Sequence, residues 1–513
     1  MLLASATVVS CGGGDKTANT AASDTATIEQ ESAVKTFERQ PDTTFASVEA
    51  IQYQVDVMLP DIDGRIESLK DMYAANDGSM LTFRGGPFRD APQTGVLEGE
   101  PSEIEVAWRF TTDSDAKWGG GSGWNGQPVY VRWSESQLAE FKKLPTSKEA
   151  LSAEEIIVGS LCGNVYFIDF ESGKASREPL KARNPIKGSV SLDPTLNGNL
   201  YVGQGIRNEH PFGALTANLY QHRYTHAFDV DPKAWRNWGA YDSSCIRVGQ
   251  FLFRPGENGT FYKWLVGKDG DMKLHSTLRF RRGGKAAGIE SSLAVYGNYG
   301  YFGDNQGVFL CVNLDTMKPV WYFDNHDDTD ASPVLAVENG KPYLYIGCEV
   351  DKQGTGTAYL TKLNALNGEK VWEYTYPSRL AKVGSKQFDG GYYATPLPGR
   401  ADCANLIFAS VVLNQHGQDG AMVAIDRATG RKVWQSDLKH YGWSSPVAFV
   451  DKDNKMYIFV GDTTGNVYLF RGSDGKQLAV KNVAHNFESS PIVNGNAVVV
   501  GSRGNEILKM VIK

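Results

Sequence analysis

No apolar run in these 513 residues approaches the ~20 that an α-helix needs to cross a bilayer, so no membrane-spanning helix is expected. Cysteine is scarce: six residues, none closely spaced, and no C-x-x-C-H string that would attach haem. Apart from Cys11, they leave an odd set of five, Cys162, Cys245, Cys311, Cys348 and Cys403. These read as isolated buried thiols on strands, with a single disulfide left open. The eight histidines are scattered, and none stands at metal-ligand spacing. No G-x-S-x-G, H-E-x-x-H, Walker or Gly-rich dinucleotide pattern follows a strand as its chemistry requires, so the motif-borne hydrolases and nucleotide binders drop out. A formal charge of −7 argues against nucleic acid as a partner.

What the chain has is repetition. Residues 424–434 read AIDRATGRKVW, setting Asp426, Gly430 and Trp434 four apart. The spacing recurs as Asn364, Gly368, Trp372 and as Asn313, Met317, Trp321. Two further copies, Asp169 with Gly173 and the Gly475 turn, lack the tryptophan. Each copy joins two alternating strands through a turn whose Gly accepts positive φ. Upstream stand a strand opening on Ser-Pro (Ser332-Pro333, Thr395-Pro396, Ser445-Pro446, Ser490-Pro491) and a β-branched run ending in Gly. Four short strands in each 40–60 residues are the pattern of a propeller blade. Eight such units can be counted, starting near Trp118, Gly188, Ser243, Glu290, Asp330, Gly391, Trp443 and Glu488. The last has only three strands, and EVAWRFTT at 105–112 supplies a fourth that would close the ring. The expected fold is all-β, an eight-bladed β-propeller of four-stranded antiparallel blades over 101–513.

The A-x-D-x-x-x-G-x-x-x-W string resembles the tryptophan-docking repeat of the pyrroloquinoline-quinone-like (PQQ-like) propellers. FRGGPFRDAPQTG at 83–95 resembles the segment that enters their first blade. The resemblance implies that Trp108, Trp321, Trp372 and Trp434 are structural docks. Their seats would be the blade turns Asp169, Gly173, Asn364, Gly368, Asp426, Gly430 and Gly475.

Residues 1–11, MLLASATVVSC, resemble a lipoprotein signal segment ending in a lipobox cysteine, with Cys11 the acylated residue. Residues 12–45 lack large apolar side chains over most of their length and read as a flexible tether. Within 46–100, Ile66, Leu69 and Tyr73 lie at helical spacing, so one amphipathic helix is expected over 63–76.

Catalytic signals are few. The enzymes of the resembled family are quinoprotein dehydrogenases that carry a vicinal Cys-Cys pair, absent here. Asp324–Asp330 (DNHDDTD) is oxygen-rich but lacks the Gly turn and distal Glu of a calcium loop, so it reads as a solvated inter-blade loop. No catalytic residue, metal or cofactor is therefore assigned. Pyrroloquinoline quinone and Ca²⁺ enter only under the alternative of a dehydrogenase oxidising alcohols or sugars. The loops between blades carry aromatics: Trp118, Trp124, Tyr392, Tyr393, Tyr441, Trp443 and Phe487. They form a candidate partner-binding face, weighed against inward-turned packing. The organisation resembles the outer-membrane assembly lipoproteins of the BamB type. That likeness implies a lipid-anchored envelope scaffold without catalysis, periplasmic or surface-facing, with a membrane-protein partner such as the barrel-assembly machinery. A surface glycan-binding lipoprotein is the second alternative.

Overall fold

The computed structural model describes residues 35–513 apart from 77, 125, 268–269, 353–355 and 384. Among these, eight antiparallel blades follow one another around an axis, spanning 129–181, 191–228, 246–282, 294–324, 334–377, 397–438, 447–482 and 492–512. Inner strands such as Asn164–Asp169 and Met456–Gly461 are buried on both faces, because each lies between neighbouring blades. Outer strands alternate, as in Lys432–Leu438.

The eighth blade takes its outer strand from the N-terminal side. Strand β3, when the extension's strands are numbered from β1 (Ile51–Val57) and β2 (Gly95–Leu97), is Ile104–Thr111, and it pairs antiparallel with Glu506–Ile512. The ring is closed where the sequence pattern requires it.

Two contacts explain the repeat residues. Each docking tryptophan leaves an outer strand and lies on the turn of the next blade. Its indole N–H donates to a turn carbonyl: Trp108 to Phe170 (3.0 Å), Trp321 to Ala365 (3.2 Å), Trp372 to Arg427 (3.0 Å) and Trp434 to Gly472 (2.8 Å). The ring covers Gly173, Gly368, Gly430 and Gly475 in turn, all at positive φ between 69° and 73°. A Cβ on Gly368 would stand 2.7 Å from Trp321, so only glycine meets both demands. Blade three contributes no such tryptophan. There the extension substitutes: the Ile66 N–H donates to Asp315 Oδ1 (2.8 Å) on the turn of blade four, whose Gly position is held by Met317.

The second contact is a belt of hydroxyls at the strand entrances. The N–H of Ser244 donates to Ser292 Oγ, Ser292 to Ser332, Ser332 to Thr395, Thr395 to Ser445 and Ser445 to Ser490, all at 2.8–3.3 Å. The Ser-Pro signature is thus a blade-to-blade hydrogen bond, not only a strand start.

Below the belt the channel is filled. Residues 80–96 run across it and touch every blade. Met80 pairs with Tyr130, Leu81 O accepts from Leu192, and the Thr82 hydroxyl donates to Cys245 O. Pro87 O and Phe88 O accept from Val295 and Leu335. Arg84 donates to Pro396 O and Pro446 O, and Val96 N–H reaches Gly495 O. The entry segment is a plug.

Two expectations need correction. No helix forms over 63–76, although Ile66, Leu69 and Tyr73 are buried as that spacing foresaw. Asp63 and Asp71 accept local backbone N–H bonds, and Ile66 N–H is drawn to Asp315, so the i→i−4 ladder never starts. The tether is shorter than 12–45: Phe37 packs on Phe88 and Tyr296 (centroids 5.4 and 5.1 Å), and Tyr299 donates to Pro41 O. Cys11 and 12–34 lie outside the described residues. A helix that the repeat did not announce, α1 (Glu135–Lys142), is inserted in blade one behind a Ser134–Gln137 capping box. Cys162, Cys245, Cys311, Cys348 and Cys403 are all free thiols.

Candidate functional site: a carboxylate pocket above the belt

Above the belt, the loops entering the first strands and those linking second to third strands enclose a cavity of about 400 Å³. Seven carboxylates line it (Glu290, Asp328, Asp330, Glu349, Asp351, Asp389 and Glu488) against two cations, Lys187 and Arg503. Each cation is already engaged, Lys187 with Asp242 and Arg503 with Glu488.

The loops are held from behind. Asn325 Nδ2 donates to Thr329 Oγ1 (2.8 Å) and to Gly347 O (3.1 Å), fixing the turn that carries Asp328 and Asp330. Glu349 sits on the two-residue strand Glu349–Val350, which pairs with Gly390–Gly391, and its N–H donates to Asp328 O (2.9 Å). On the far side, Glu257 receives the Trp238 indole N–H (2.9 Å) and approaches Asp242 and Glu290.

Crowding sets the electrostatics. Burial, then the negative charges of Glu349 and Glu290, holds the Asp330 carboxyl well above its ordinary range, and burial with Asp328 does the same for Glu349. Glu290 is pushed up to about 7 by burial and Asp242, against the pull of Lys187. A carboxyl whose folded pKa is raised stabilises the fold below its unfolded value near 4.5, and that contribution is lost as pH rises towards 7. Glu290 therefore predicts a melting temperature that falls between pH 5 and pH 8 in chelator. Glu290→Gln should flatten the slope, removing at most ~3 kcal/mol of pH dependence; an unchanged slope would refute the assignment.

The aromatic face divides. Tyr392, Phe487 and Tyr441 are buried, at 0%, 1% and 5% exposure, and are not available to a partner. Tyr392 and Phe487 pack where the β-branched runs end, against Gly347 and Gly461, where a Cβ would fall 2.5 and 2.9 Å away. That close approach is why those runs end in glycine. Trp124, Tyr393 and Trp443 instead form one wall of the pocket, with Tyr393 stacked on Trp443 (5.0 Å) and edge-on to Trp124 (6.5 Å). Trp118 is half-buried at the same cavity, and the indole N–H groups of Trp118, Trp124 and Trp443 have no partner.

Sequence reading passed over the acidic residues, because five separate loops supply them one or two at a time. The DNHDDTD string was the one visible sign: two of its carboxylates, Asp328 and Asp330, are pocket residues and not a solvated loop.

Residues 418–513 match the family model of outer membrane protein assembly factor BamB. The repeats are PQQ-like. BamB of Moranella endobia (strain PCIT) is 27% identical over 104 residues, 20% of this chain and 26% of the relative, so the match spans about a quarter of the relative's length. The PQQ-like ring superposes on BamB from Moraxella catarrhalis with a TM-score of 0.51 at 14% identity, covering 80% of this chain and 100% of that one. It also superposes on the quinohemoprotein alcohol dehydrogenase of Comamonas testosteroni, at a TM-score of 0.60 and 13% identity, covering 85% and 81%. At such identities the likeness shows the propeller fold and carries no activity with it.

Proposed function

We propose that this chain is a non-catalytic binding propeller of the bacterial envelope, held to the outer membrane through an acylated Cys11, which captures a membrane-protein partner of the barrel-assembly type on its pocket face. The observation that carries the reading is the plug. Residues 80–96 are bonded to all eight blades, so the pocket is floored by the chain's own entry segment. The likeness of residues 418–513 to BamB supports the envelope setting.

The described chain begins on the plugged face. Lys35 lies over the Phe88 ring (5.7 Å), and Phe37 packs beside Tyr296, in the turn where the first strand of blade four ends. First strands run from the pocket face to this plugged face, so the described chain enters the ring opposite the pocket.

The quinoprotein alternative fits poorly. Pyrroloquinoline quinone is a tricarboxylate, and the cavity offers it seven carboxylates and two cations that are already paired. The five described cysteines are isolated free thiols, so no vicinal pair faces the cavity.

A photocrosslinker at half-buried Phe388, on the pocket rim, is expected to trap a barrel-assembly component in native membranes. Trp443→Ala should abolish the adduct while lowering the melting temperature by only a few degrees. A quinone absorbance band with alcohol-dependent dye reduction would replace this reading with the dehydrogenase.

A further inference from the structure

We infer that the free edge of β1 is a docking site for an extended strand of a partner protein, one that alternates β-branched or aromatic residues with acidic ones. The site lies on the outer rim of blade three and does not rest on the partner proposed for the pocket.

Among the described residues, only blade three carries a fifth strand along its outer edge. β1 pairs antiparallel with Met272–Arg282 over seven residues. At the end of this ladder the Met58 N–H donates to His275 O (2.8 Å). Antiparallel pairing alternates, so Gln52, Gln54 and Asp56 turn their backbone groups to Met272–Arg282, and Tyr53, Val55 and Val57 turn theirs outward. No described strand lies beyond them to take those N–H and C=O groups.

Edges of this kind are normally blunted. The outer strands of blades two and four to eight each meet their neighbour through a β-bulge, which twists the edge away. The β1 pairing has no such shift. The strand, IQYQVDV, has no Pro and no Lys, and its one charge, Asp56, is already paired with Arg279. Its outward row is apolar: Tyr53 and Val57 are 41% and 52% exposed, with half-buried Val55 between them.

Charge selects the occupant. The other face of β1 borders a groove of about 660 Å³ that Lys233 and Arg279 line. Arg279 is held by Asp56 and by Lys233 O, whereas the exposed Lys233 ammonium forms no ion pair among the described residues. Arg281 stacks on Trp235 (5.0 Å) and donates to Gln52 Oε1 (2.9 Å), again without a carboxylate. Two cations without acid partners on one face, and an apolar row on the other, fit a strand with acidic side chains towards Lys233 and apolar ones beside Tyr53 and Val57. Backbone pairing supplies the affinity of such a contact and the alternate side chains its selectivity. The same cations disfavour antiparallel pairing of two copies of this edge, which would bring them together.

The purified protein can be titrated with a fluorescein-labelled peptide of alternating Val and Glu, and with its Val-Lys counterpart. The acidic peptide should raise the anisotropy saturably, and the basic one should bind roughly tenfold or more weakly. Hydrogen exchange should slow at the Tyr53, Val55 and Val57 amides and stay unchanged in the pocket loops. Val57→Pro removes an outward donor and spares the ladder, so it should weaken binding by about tenfold or more while the melting temperature holds. Gln54→Pro, whose N–H serves the ladder, should lower the melting temperature instead. Lys233→Glu should reverse the preference between the two peptides. Absence of saturable binding at millimolar peptide overturns the site, as does equal binding by Val57→Pro. A protein that sediments as a dimer and becomes monomeric on Val57→Pro overturns the partner strand in favour of a second copy. Neither result bears on the pocket, which the crosslink at Phe388 tests separately.

Discussion

Trp321→Ala should destabilise the ring by ~3–5 kcal/mol, the range for deleting a fully buried large aromatic. Trp321 is 0% exposed, and its indole closes over Gly368 of the next blade while donating to Ala365 O at 3.2 Å. Removing it opens a cavity between blades four and five and leaves that carbonyl unpaired. Trp372 makes the same bond from a half-buried position, so Trp372→Ala should cost about half as much. The docking geometry is tested more sharply by a cycle. Gly368→Ala alone is doubly unfavourable, because φ is 73° and the new methyl meets the indole at 2.7 Å. In a Trp321→Ala background the steric part vanishes and the φ strain alone remains. Urea midpoints should therefore be sub-additive by ~1 kcal/mol or more. Strict additivity would mean that the tryptophan and glycine do not act as one dock.

That contact was written in the sequence, because Trp321, Gly368 and the Ser-Pro starts recur in phase and the blade is a local unit. Closure by Ile104–Thr111 was inferable by counting strands. The plug and the pocket were not, and for one physical reason: both are made where eight blades converge, so their residues are spread around the ring with no shared spacing. Arg84 touches Pro396 and Pro446, more than 300 residues away. Glu349 owes its position to a pairing with Gly391 of the following blade. The aromatic loops misled in the opposite way, because Tyr392 and Phe487 look like exposed loop residues until the run-ending Gly347 and Gly461 are seen to receive them. Helical spacing at Ile66, Leu69 and Tyr73 identified buried residues correctly and their backbone wrongly; periodicity reports a buried face, and hydrogen-bond competition decided the conformation.

Arg84 carries the second large effect. Its guanidinium is 0% exposed, has no carboxylate in contact, and is lowered to about 9 by burial and by the nearby Arg400. What holds it is the pair of carbonyls it forks between, Pro446 O at 2.7 Å and Pro396 O at 2.9 Å, one on each of two neighbouring blades. Its own φ is 55°, with Arg89 at 54° and Ala91 at 50°, so the plug is strained at three non-glycine residues and persists because the ring over-determines it. Arg84→Met keeps the volume and removes the desolvated charge. If charge burial dominated, that variant would be neutral or stabilising. If carbonyl satisfaction dominates, two buried acceptors become orphans at ~1–3 kcal/mol each, and the net loss should be ~2–4 kcal/mol. We expect the loss, and we expect Arg84→Lys to recover less than half of it, since a single ammonium lacks the planar fork that spans two blades. Plug release should also speed protease cleavage near Glu98–Glu103, where the chain leaves the channel. A variant with an unchanged urea midpoint and unchanged cleavage would show that the blades hold the ring without the plug.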